Sequence, residues 1–283
     1  MKTGFNLLLW TTHVTAEHVP LLESLKRAGY DGVEIPLFEG EPAHFKTLGQ
    51  AIENAGLLCT TVTVLPDEAH SAISPDPKSR QGAVDHLTWA IECSEAMKSE
   101  LLCGPFHQPL ATFSGEGPRE EELAFCAEVH QQAADRAAKA NLVLALEPLN
   151  RFECYILNTM ADTKSYVERV NRPNFGALYD TFHANIEEKN PIGCIKETSS
   201  VIKHVHISEN DRGTPGKGHI DFAATMKALR SSGYDGWLTI EAFGKSLPGL
   251  AAATKVWRDF FPSEEEVYTE GLNTMKNAWS AAG

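Results

Sequence analysis

Four residues that can bind a metal or transfer a proton lie at or near the ends of four successive apolar segments. Glu147 follows LVLAL, Asp180 ends FGALYD, His206 lies in HVHIS and Glu241 follows WLTI. Three carboxylates crowded together in a buried site would repel one another and force protonation. A divalent cation removes that conflict, and three oxygens with one imidazole suit Mn²⁺, with Mg²⁺ or Co²⁺ as alternatives. The residue types therefore predict one divalent-metal site, and zinc is less favoured because the set has no thiolate and a single histidine.

Three further polar residues follow these ligand candidates closely. They are Glu153 in LEPLNRFE, His183 in YDTFHAN and Arg212 in HISENDRGTPGKG, and we expect them on loops above the metal, facing a substrate. The glycines and the proline of RGTPGKG indicate a tight loop, and the segment lacks the GK[ST] ending of a phosphate-binding P-loop. His204 is expected to pack one layer below the site. Arg151 is expected to orient a carboxylate from behind the ligands.

Short apolar runs alternate with helical patterns along the whole chain and must supply the elements that position these residues. The runs cover residues 5–10, 32–36, 57–64, 100–105, 142–148, 175–180, 204–208 and 237–243. Gly29, Gly56 and Gly233 end three of the helical patterns, as expected where a helix stops in the left-handed region. Strands alternating with helices predict an α/β fold with a parallel sheet. Eight such units in about 250 residues favour a (β/α)₈ TIM barrel over a doubly wound sheet, whose glycine-rich first turn is missing here.

In a barrel of this kind the chemistry lies at the carboxyl ends of the strands. Side chains alternate along a strand, so Glu147 shares a face with Ala145 and Asp180 shares one with Leu178. We therefore expect all four ligand candidates to point inward at one mouth. No linker or change of composition divides the chain, which predicts a single barrel domain over residues 1–283 with extra helical structure after position 248.

The composition of the chain disfavours some classes of binding partner. The 283 residues carry a net charge of −13 without a basic cluster, which disfavours nucleic acid and anionic membranes. No apolar stretch reaches the roughly 20 residues that span a bilayer, and the N-terminal apolar run is too short for a signal peptide. The six cysteines are scattered without a C-x-x-C pair, as is typical of free thiols in a reducing compartment. We therefore expect a cytoplasmic protein that acts on a small molecule.

Four segments resemble the ketose 3-epimerase family: LALEPLNRFECYILN, ALYDTFHANIEE, HVHISENDRGTPGKGHIDF and GWLTIEAF. This family includes D-tagatose, D-psicose (D-allulose) and L-ribulose 3-epimerases among the sugar isomerase/epimerase barrels, and the resemblance covers essentially the whole chain. It implies that Glu147, Asp180, His206 and Glu241 bind one divalent metal per subunit, usually Mn²⁺ and otherwise Co²⁺ or Mg²⁺. It also implies a homodimer or homotetramer.

The resemblance implies roles for the other residues as well. Glu147 and Glu241 would double as the catalytic acid/base pair. The family's substrate-binding positions are matched by Glu153, His183, Arg212 and, as an apolar wall near the sugar, Phe243. The chain departs from some relatives at Asn6, where they carry an aromatic residue, so the preferred ketose and its chain length stay open.

The same residues suit epimerisation at C3 on chemical grounds. A proton alpha to the C2 carbonyl must be removed and one returned on the opposite face, through a cis-enediolate that a divalent cation stabilises. Glu147 and Glu241 would carry the two proton transfers. The expected substrates are ketohexoses such as D-fructose/D-psicose or D-tagatose/D-sorbose and ketopentoses such as L-ribulose. Trp10, Phe106 and Phe113 are candidates for helping Phe243 to exclude water, although core packing is the commoner role of any single aromatic residue.

Three alternatives remain open at this stage. An aldose–ketose or hydroxypyruvate isomerase could use the same barrel, although a hydride-shift isomerase typically needs a second metal, and solvent deuterium uptake at C3 would separate the two reactions. A DNA-repair endonuclease of this barrel type would need many histidines and a basic face, which the net charge of −13 disfavours. A non-catalytic sugar-binding module would need no paired carboxylates on a metal, and its binding would be insensitive to EDTA.

Overall fold

The computed structural model describes residues 1–283 and contains a closed barrel of eight parallel strands. The strands are Lys2–Asn6 (β1), Gly32–Pro36 (β2), Leu58–Val62 (β3), Leu101–Gly104 (β4), Val143–Leu146 (β5), Phe175–Asp180 (β6), Ile202–Ile207 (β7) and Trp237–Ile240 (β8). The α-helices are Val19–Ala28 (α1), Pro42–Asn54 (α2), Pro77–Met97 (α3), Glu120–Lys139 (α4), Met160–Val170 (α5), Thr181–Glu187 (α6), Gly193–Thr198 (α7), Phe222–Ser231 (α8), Pro248–Thr254 (α9) and Glu264–Ala281 (α10). Each strand pairs with the next in sequence, and β8 pairs with β1 to close the barrel. The predicted (β/α)₈ fold is confirmed.

The strand bounds agree with the apolar runs except at the first one. The run at residues 5–10 was predicted to be the first strand, but β1 covers Lys2–Asn6 and Leu7–Leu9 form a short 3₁₀ turn. The Asn6 side chain caps this turn by accepting a hydrogen bond from the Leu8 backbone N–H at 2.9 Å. All three leucines are buried, so their apolar character reports burial and not a strand.

Two apolar regions lie on the two sides of the barrel wall. The larger, of 60 buried residues, fills the space between the strands and the surrounding helices. A smaller cluster inside the barrel includes Val62, Cys103 and Ala145. At the amino-terminal end the Trp237 indole fills the barrel, and a Cβ on Gly32 would lie 2.5 Å from its Cη2 atom, so only glycine fits there. The interior is therefore closed at this end and open at the carboxyl ends of the strands.

The helix ends and the tail follow the sequence signals. Gly29, Gly56 and Gly233 have φ values of 104°, 73° and 79°, which confirms the left-handed helix ends. The tail forms α9 and α10, and Ser263 caps α10 by accepting from the Glu266 backbone N–H. All six cysteines are unpaired and buried. No helix combines the length and the apolar character that are needed to cross a bilayer.

Candidate metal centre and active site

The carboxyl ends of β5 to β8 bring the four ligand candidates together. Glu147 comes directly after β5, Asp180 ends β6, His206 lies near the end of β7 and Glu241 comes directly after β8. Asp180 and His206 are paired in register across β6 and β7. All four are buried, and one donor atom from each lies within 4.8 Å of the others. The structure thus places these side chains as the sequence predicted.

The distances within this cluster fit a shared metal ion. His206 Nδ1 lies 3.8 Å from Glu147 Oε1, 3.7 Å from Asp180 Oδ2 and 3.6 Å from Glu241 Oε1. These distances are too long for hydrogen bonds. They exceed by a few tenths of an ångström the separation of about 3 to 3.4 Å between donor atoms at roughly 2.1 Å from one ion, so small side-chain shifts would bring the four groups onto a shared ion. His206 Nδ1 and Glu147 Oε1 are buried without any hydrogen-bond partner. A divalent cation between them would satisfy both atoms and neutralise the carboxylates.

Burial and charge act against each other on the ionisable groups of the cluster. Burial, and next the charge of Glu241, raise the pKa of Glu147 well above its ordinary value. Burial also tends to raise the pKa of Asp180, but the Arg212 guanidinium and the nearby imidazoles hold it below the usual range. For His206, burial lowers the pKa, yet the surrounding carboxylates, that of Glu241 first, bring it well above the ordinary value. The raised pKa values of Glu147 and His206 reflect the neighbouring carboxylates, and the lowered pKa of Asp180 reflects the cationic groups beside it, so the cluster favours positive charge at this position.

Arg212 is buried beside the ligand cluster. Its Nη1 atom donates to Asp180 Oδ2 at 3.0 Å, to Glu241 Oε2 at 2.8 Å and to Ser208 Oγ at 2.9 Å. Its backbone has a φ of 65°, in the left-handed region that non-glycine residues seldom adopt. The loop after β7 therefore holds this cation at the mouth as predicted, but pairs it with two ligand carboxylates instead of leaving it above them.

His183 and Glu153 reach the same mouth and are both held by Asn150. The Asn150 backbone N–H donates to His183 Nδ1 at 3.0 Å, and its side-chain amide donates to Glu153 Oε1 at 2.7 Å. Burial, and next the positive charge of Arg212, lower the pKa of His183 to about 3, so this imidazole is neutral. Burial raises the pKa of Glu153. Because Nδ1 of His183 accepts a hydrogen bond, its Nε2 carries the hydrogen and can donate.

A cavity of about 180 Å³ opens above these side chains. Its polar wall is formed by Glu147, Glu153, His183, Arg212 and Glu241. Its other wall is mainly apolar and includes Leu8, Phe38, Val62, Leu110, Phe243 and Leu250. Phe243 thus lies on the apolar wall. Of the ligand and substrate-binding candidates, only Asp180 and His206, which lie deeper, do not line the cavity.

Of the two roles considered for the three other aromatic residues, exclusion of water from the site is not the one that the structure shows. None of Trp10, Phe106 and Phe113 lines the cavity. Trp10 packs against Phe5, Phe106 is fully buried in the core, and Phe113 is about half exposed. Leu8 and Phe38 take the place that these rings were expected to fill, because the loop conformations, which the apolar pattern does not encode, decide which side chains turn inward.

Arg151 does not lie where the sequence predicted, whereas His204 does. Arg151 was expected to orient a carboxylate behind the ligands, but its side chain is 63% exposed and pairs with Glu187 at 3.0 Å, away from the metal cluster. His204 lies one layer below the ligands as predicted, fully buried, with its Nε2 atom 2.8 Å from Glu34 Oε2.

Glu34 itself was not predicted from the sequence. It is fully buried in the middle of β2, and its Oε1 atom lies 2.8 Å from His206 Nε2. Asn6 was singled out only as a departure from some relatives, yet its side chain bridges Glu34 and Glu241. A carboxylate inside the otherwise apolar run GVEIP is the signal that could have identified Glu34, because a strand covered on both faces seldom keeps an unpaired charge.

The comparisons with known proteins agree with this geometry. Residues 22–278 match the family described as the xylose isomerase-like TIM barrel. A probable ketose 3-epimerase from Synechocystis sp. is 32% identical over 282 residues, which cover 99% of this chain and 97% of the relative. A ketose 3-epimerase from Arthrobacter globiformis is 32% identical over 94% of this chain and 93% of its own. The crystal structure of a D-allulose 3-epimerase from Methylomonas sp. in complex with D-allulose superposes with a TM-score of 0.91 at 28% identity, covering 98% of this chain and 97% of that one.

Proposed function

The chain belongs to the ketose 3-epimerase family of xylose isomerase-like TIM barrels, and from this premise we propose how its site works. The enzyme is an isomerase that epimerises free ketoses at C3. Glu147, Asp180, His206 and Glu241 would hold one divalent metal ion. The observation that carries this assignment is the pair of buried, partnerless donor atoms, Glu147 Oε1 and His206 Nδ1, inside a cluster of three carboxylates.

Proton transfer is assigned to Glu147 and Glu241, the first and the last of the four ligands along the chain. Glu147 and Glu241 follow β5 and β8, and both reach the cavity. When bound, the metal ion would polarise the C2 carbonyl and stabilise the enediolate charge. One glutamate removes the C3 proton on one face, and the other, protonated, returns a proton on the opposite face. Each turnover leaves the two glutamates with exchanged protonation states, so exchange with solvent must reset them.

His183, Arg212 and Glu153 would bind the hydroxyl groups near the reacting carbons. The Asn150 backbone N–H fixes Nδ1 of His183 as an acceptor, which leaves its Nε2–H to donate to a substrate oxygen. Arg212 Nη2 lies 2.9 Å from that same Nε2 atom, and both are donors, so they cannot satisfy each other. A sugar oxygen that lies beside the two nitrogens would accept from both. Glu153 would accept a hydroxyl hydrogen. Phe243 would contact the apolar side of the ketose.

The proposal also includes the identity of the metal ion, the oligomeric state and the cellular location. The oxygen-rich ligand set with one imidazole supports Mn²⁺, with Co²⁺ or Mg²⁺ as alternatives. The exposed apolar side chains Phe113, Phe152 and Trp257 support a homodimer or homotetramer, which light scattering on the purified protein would test. Six unpaired cysteines support a reducing, cytoplasmic location.

A substrate panel tests the proposed reaction. The metal-free protein would be incubated with ketohexoses and ketopentoses, with and without Mn²⁺, and the products separated by chromatography. We expect C3 epimers that form only when the metal is present. Aldose products would instead support an aldose–ketose isomerase, and conversion that is unchanged in EDTA would refute the metal-dependent mechanism.

A further inference from the structure

Directly beneath the metal cluster, five donors converge on one buried carboxylate, that of Glu34, and one of them is the Cys103 thiol, which donates to Oε2 at 3.3 Å. Oε1 of Glu34 lies 2.8 Å from His206 Nε2 and accepts from Asn6 Nδ2 at 3.0 Å. Oε2 lies 2.8 Å from His204 Nε2 and accepts from Thr60 Oγ1 at 2.9 Å. Glu34 touches neither the cavity nor the carboxylates of the ligand set, so the proton transfers themselves do not explain its presence.

The contacts of Glu34 determine which nitrogen of His206 is free. Oε1 accepts from the Asn6 amide, Oε2 accepts from the Thr60 hydroxyl, and each oxygen also lies 2.8 Å from an imidazole Nε2 atom. A carboxylate that accepts on both oxygens leaves Nε2 of His206 as the donor of their contact, so this nitrogen carries the hydrogen. In the neutral ring, the lone pair then belongs to Nδ1, the atom that lies among the other three ligands.

Asn6 connects Glu34 to a second metal ligand, Glu241, and so helps to fix the position of that ligand. Its Nδ2 atom donates to Glu34 Oε1 at 3.0 Å and to Glu241 Oε1 at 3.1 Å. Its Oδ1 atom accepts from the Leu8 backbone N–H at 2.9 Å, which fixes the orientation of the amide. Since Asn6 is fully buried, no water competes for these contacts. Glu241 is thereby held from below by a side chain that Glu34 itself fixes.

A second metal ion is the alternative explanation for this cluster, since Glu34, Cys103, His204 and His206 also place donor atoms within 4.8 Å of one another. The spacing argues against it. Glu34 lies 2.8 Å from each imidazole nitrogen, a hydrogen-bond length, and both nitrogens already have a partner. The donor atoms around one ion lie about 3 Å or more apart.

We propose that Glu34 and Asn6 are positioning residues of the metal centre. Glu34 makes Nδ1 of His206 the metal-binding atom, and Asn6 transmits the position of Glu34 to Glu241. The inference rests on the proposed function only for the identity of the metal ligands. Partners of this kind typically change metal affinity by about 10- to 100-fold when they are lost.

The test compares three variants by titrating metal-free protein with Mn²⁺ in a calorimeter. Glu34→Met fills similar volume without an acceptor and should raise the Kd for Mn²⁺ by about 10- to 100-fold. Glu34→Gln can still accept from His206 through its amide oxygen, with its amide group toward His204, and should rescue part of that loss. Thr60→Val removes a donor to the same carboxylate without touching a ligand, and should leave the Kd within about 2-fold of the unchanged protein.

Several results would overturn the inference. Glu34→Met could bind Mn²⁺ as tightly as the unchanged protein, or Thr60→Val could lose as much affinity as Glu34→Met, which would indicate general loosening. If Glu34→Met does not fold, nitrogen-15 NMR of the unchanged protein loaded with Mg²⁺ decides: His206 should be protonated at Nε2, and protonation at Nδ1 refutes the inference. No measurement here uses a ketose, so absence of epimerase activity would refute the proposed function separately.

Discussion

Replacing Arg212 by methionine should destabilise the metal-free protein far more than the metal-bound one. Arg212 donates to Asp180 and Glu241 at 3.0 and 2.8 Å, and its side chain is 7% exposed. Two hydrogen bonds to charged groups, each contributing about 1.5 to 3 kcal/mol, are lost, while methionine keeps the apolar contacts of the side chain. Breaking a buried ion pair from one side costs about 3 to 5 kcal/mol, because the carboxylates are left uncompensated. We expect a loss in that range in EDTA.

Mn²⁺ should remove much of this loss, since a divalent ion among the same carboxylates supplies the missing positive charge. The measurement is the free energy of unfolding in urea, in EDTA and in excess Mn²⁺, for the unchanged protein and for Arg212→Met. Arg169→Met is the matched control, because Arg169 also pairs with a glutamate, Glu120, but at the surface, where the two side chains are 36% and 75% exposed. The urea midpoint of this control should change little in either condition. An equal effect of the two substitutions, or a loss for Arg212→Met that Mn²⁺ does not reduce, would refute the reasoning.

Two further predictions concern catalysis and pH. Glu147→Gln and Glu241→Gln keep an oxygen ligand but cannot exchange a proton, so each should lower kcat by about 10²- to 10⁴-fold with Mn²⁺ still bound; near-normal turnover would exclude the two-carboxylate mechanism. Burial lowers the pKa of His107 to about 3 and that of His130 to about 4, so below pH 6.5 the unfolded chain binds protons that the folded chain does not. Stability should therefore be full above pH 6.5 and fall by about 2 to 3 kcal/mol per pH unit from these two groups as the pH drops towards 4. Urea unfolding at pH 6 and 5 measures this slope. His130→Gln should make it shallower, and an equal slope in the variant and the unchanged protein would contradict the assignment.

Strands, helix starts and the inward direction of the ligand side chains could be predicted from the pattern of apolar and polar residues. The run GVEIP and strand β2 have the same first and last residues, because the residues of this run are buried on both faces and the segments around it are helical. Strand alternation turns Glu147 and Asp180 inward, so the sequence predicts their meeting as well as their chemistry. Capping residues such as Ser263 place helix starts, since their side-chain oxygens satisfy free backbone N–H groups.

Other features depend on contacts between distant parts of the chain. Leu7–Leu9 carry the apolar signature of a strand but form a 3₁₀ turn that the Asn6 side chain caps, and the distant Glu34 and Glu241 hold the amide of Asn6. Trp10 and Phe113 were candidates for the cavity wall, yet neither lines it. The role of Glu34 depends on residues up to 172 positions away, a separation that no local pattern conveys.

The most direct test of the account is epimerisation in D₂O with Mn²⁺ present, followed by mass spectrometry and NMR of the product ketose. Proton removal and return by two glutamates predicts a C3 epimer that carries one solvent deuterium at C3. The same reaction in EDTA should give no product. A C3 epimer without deuterium at C3, or an aldose formed by hydride transfer, would contradict the proposed mechanism.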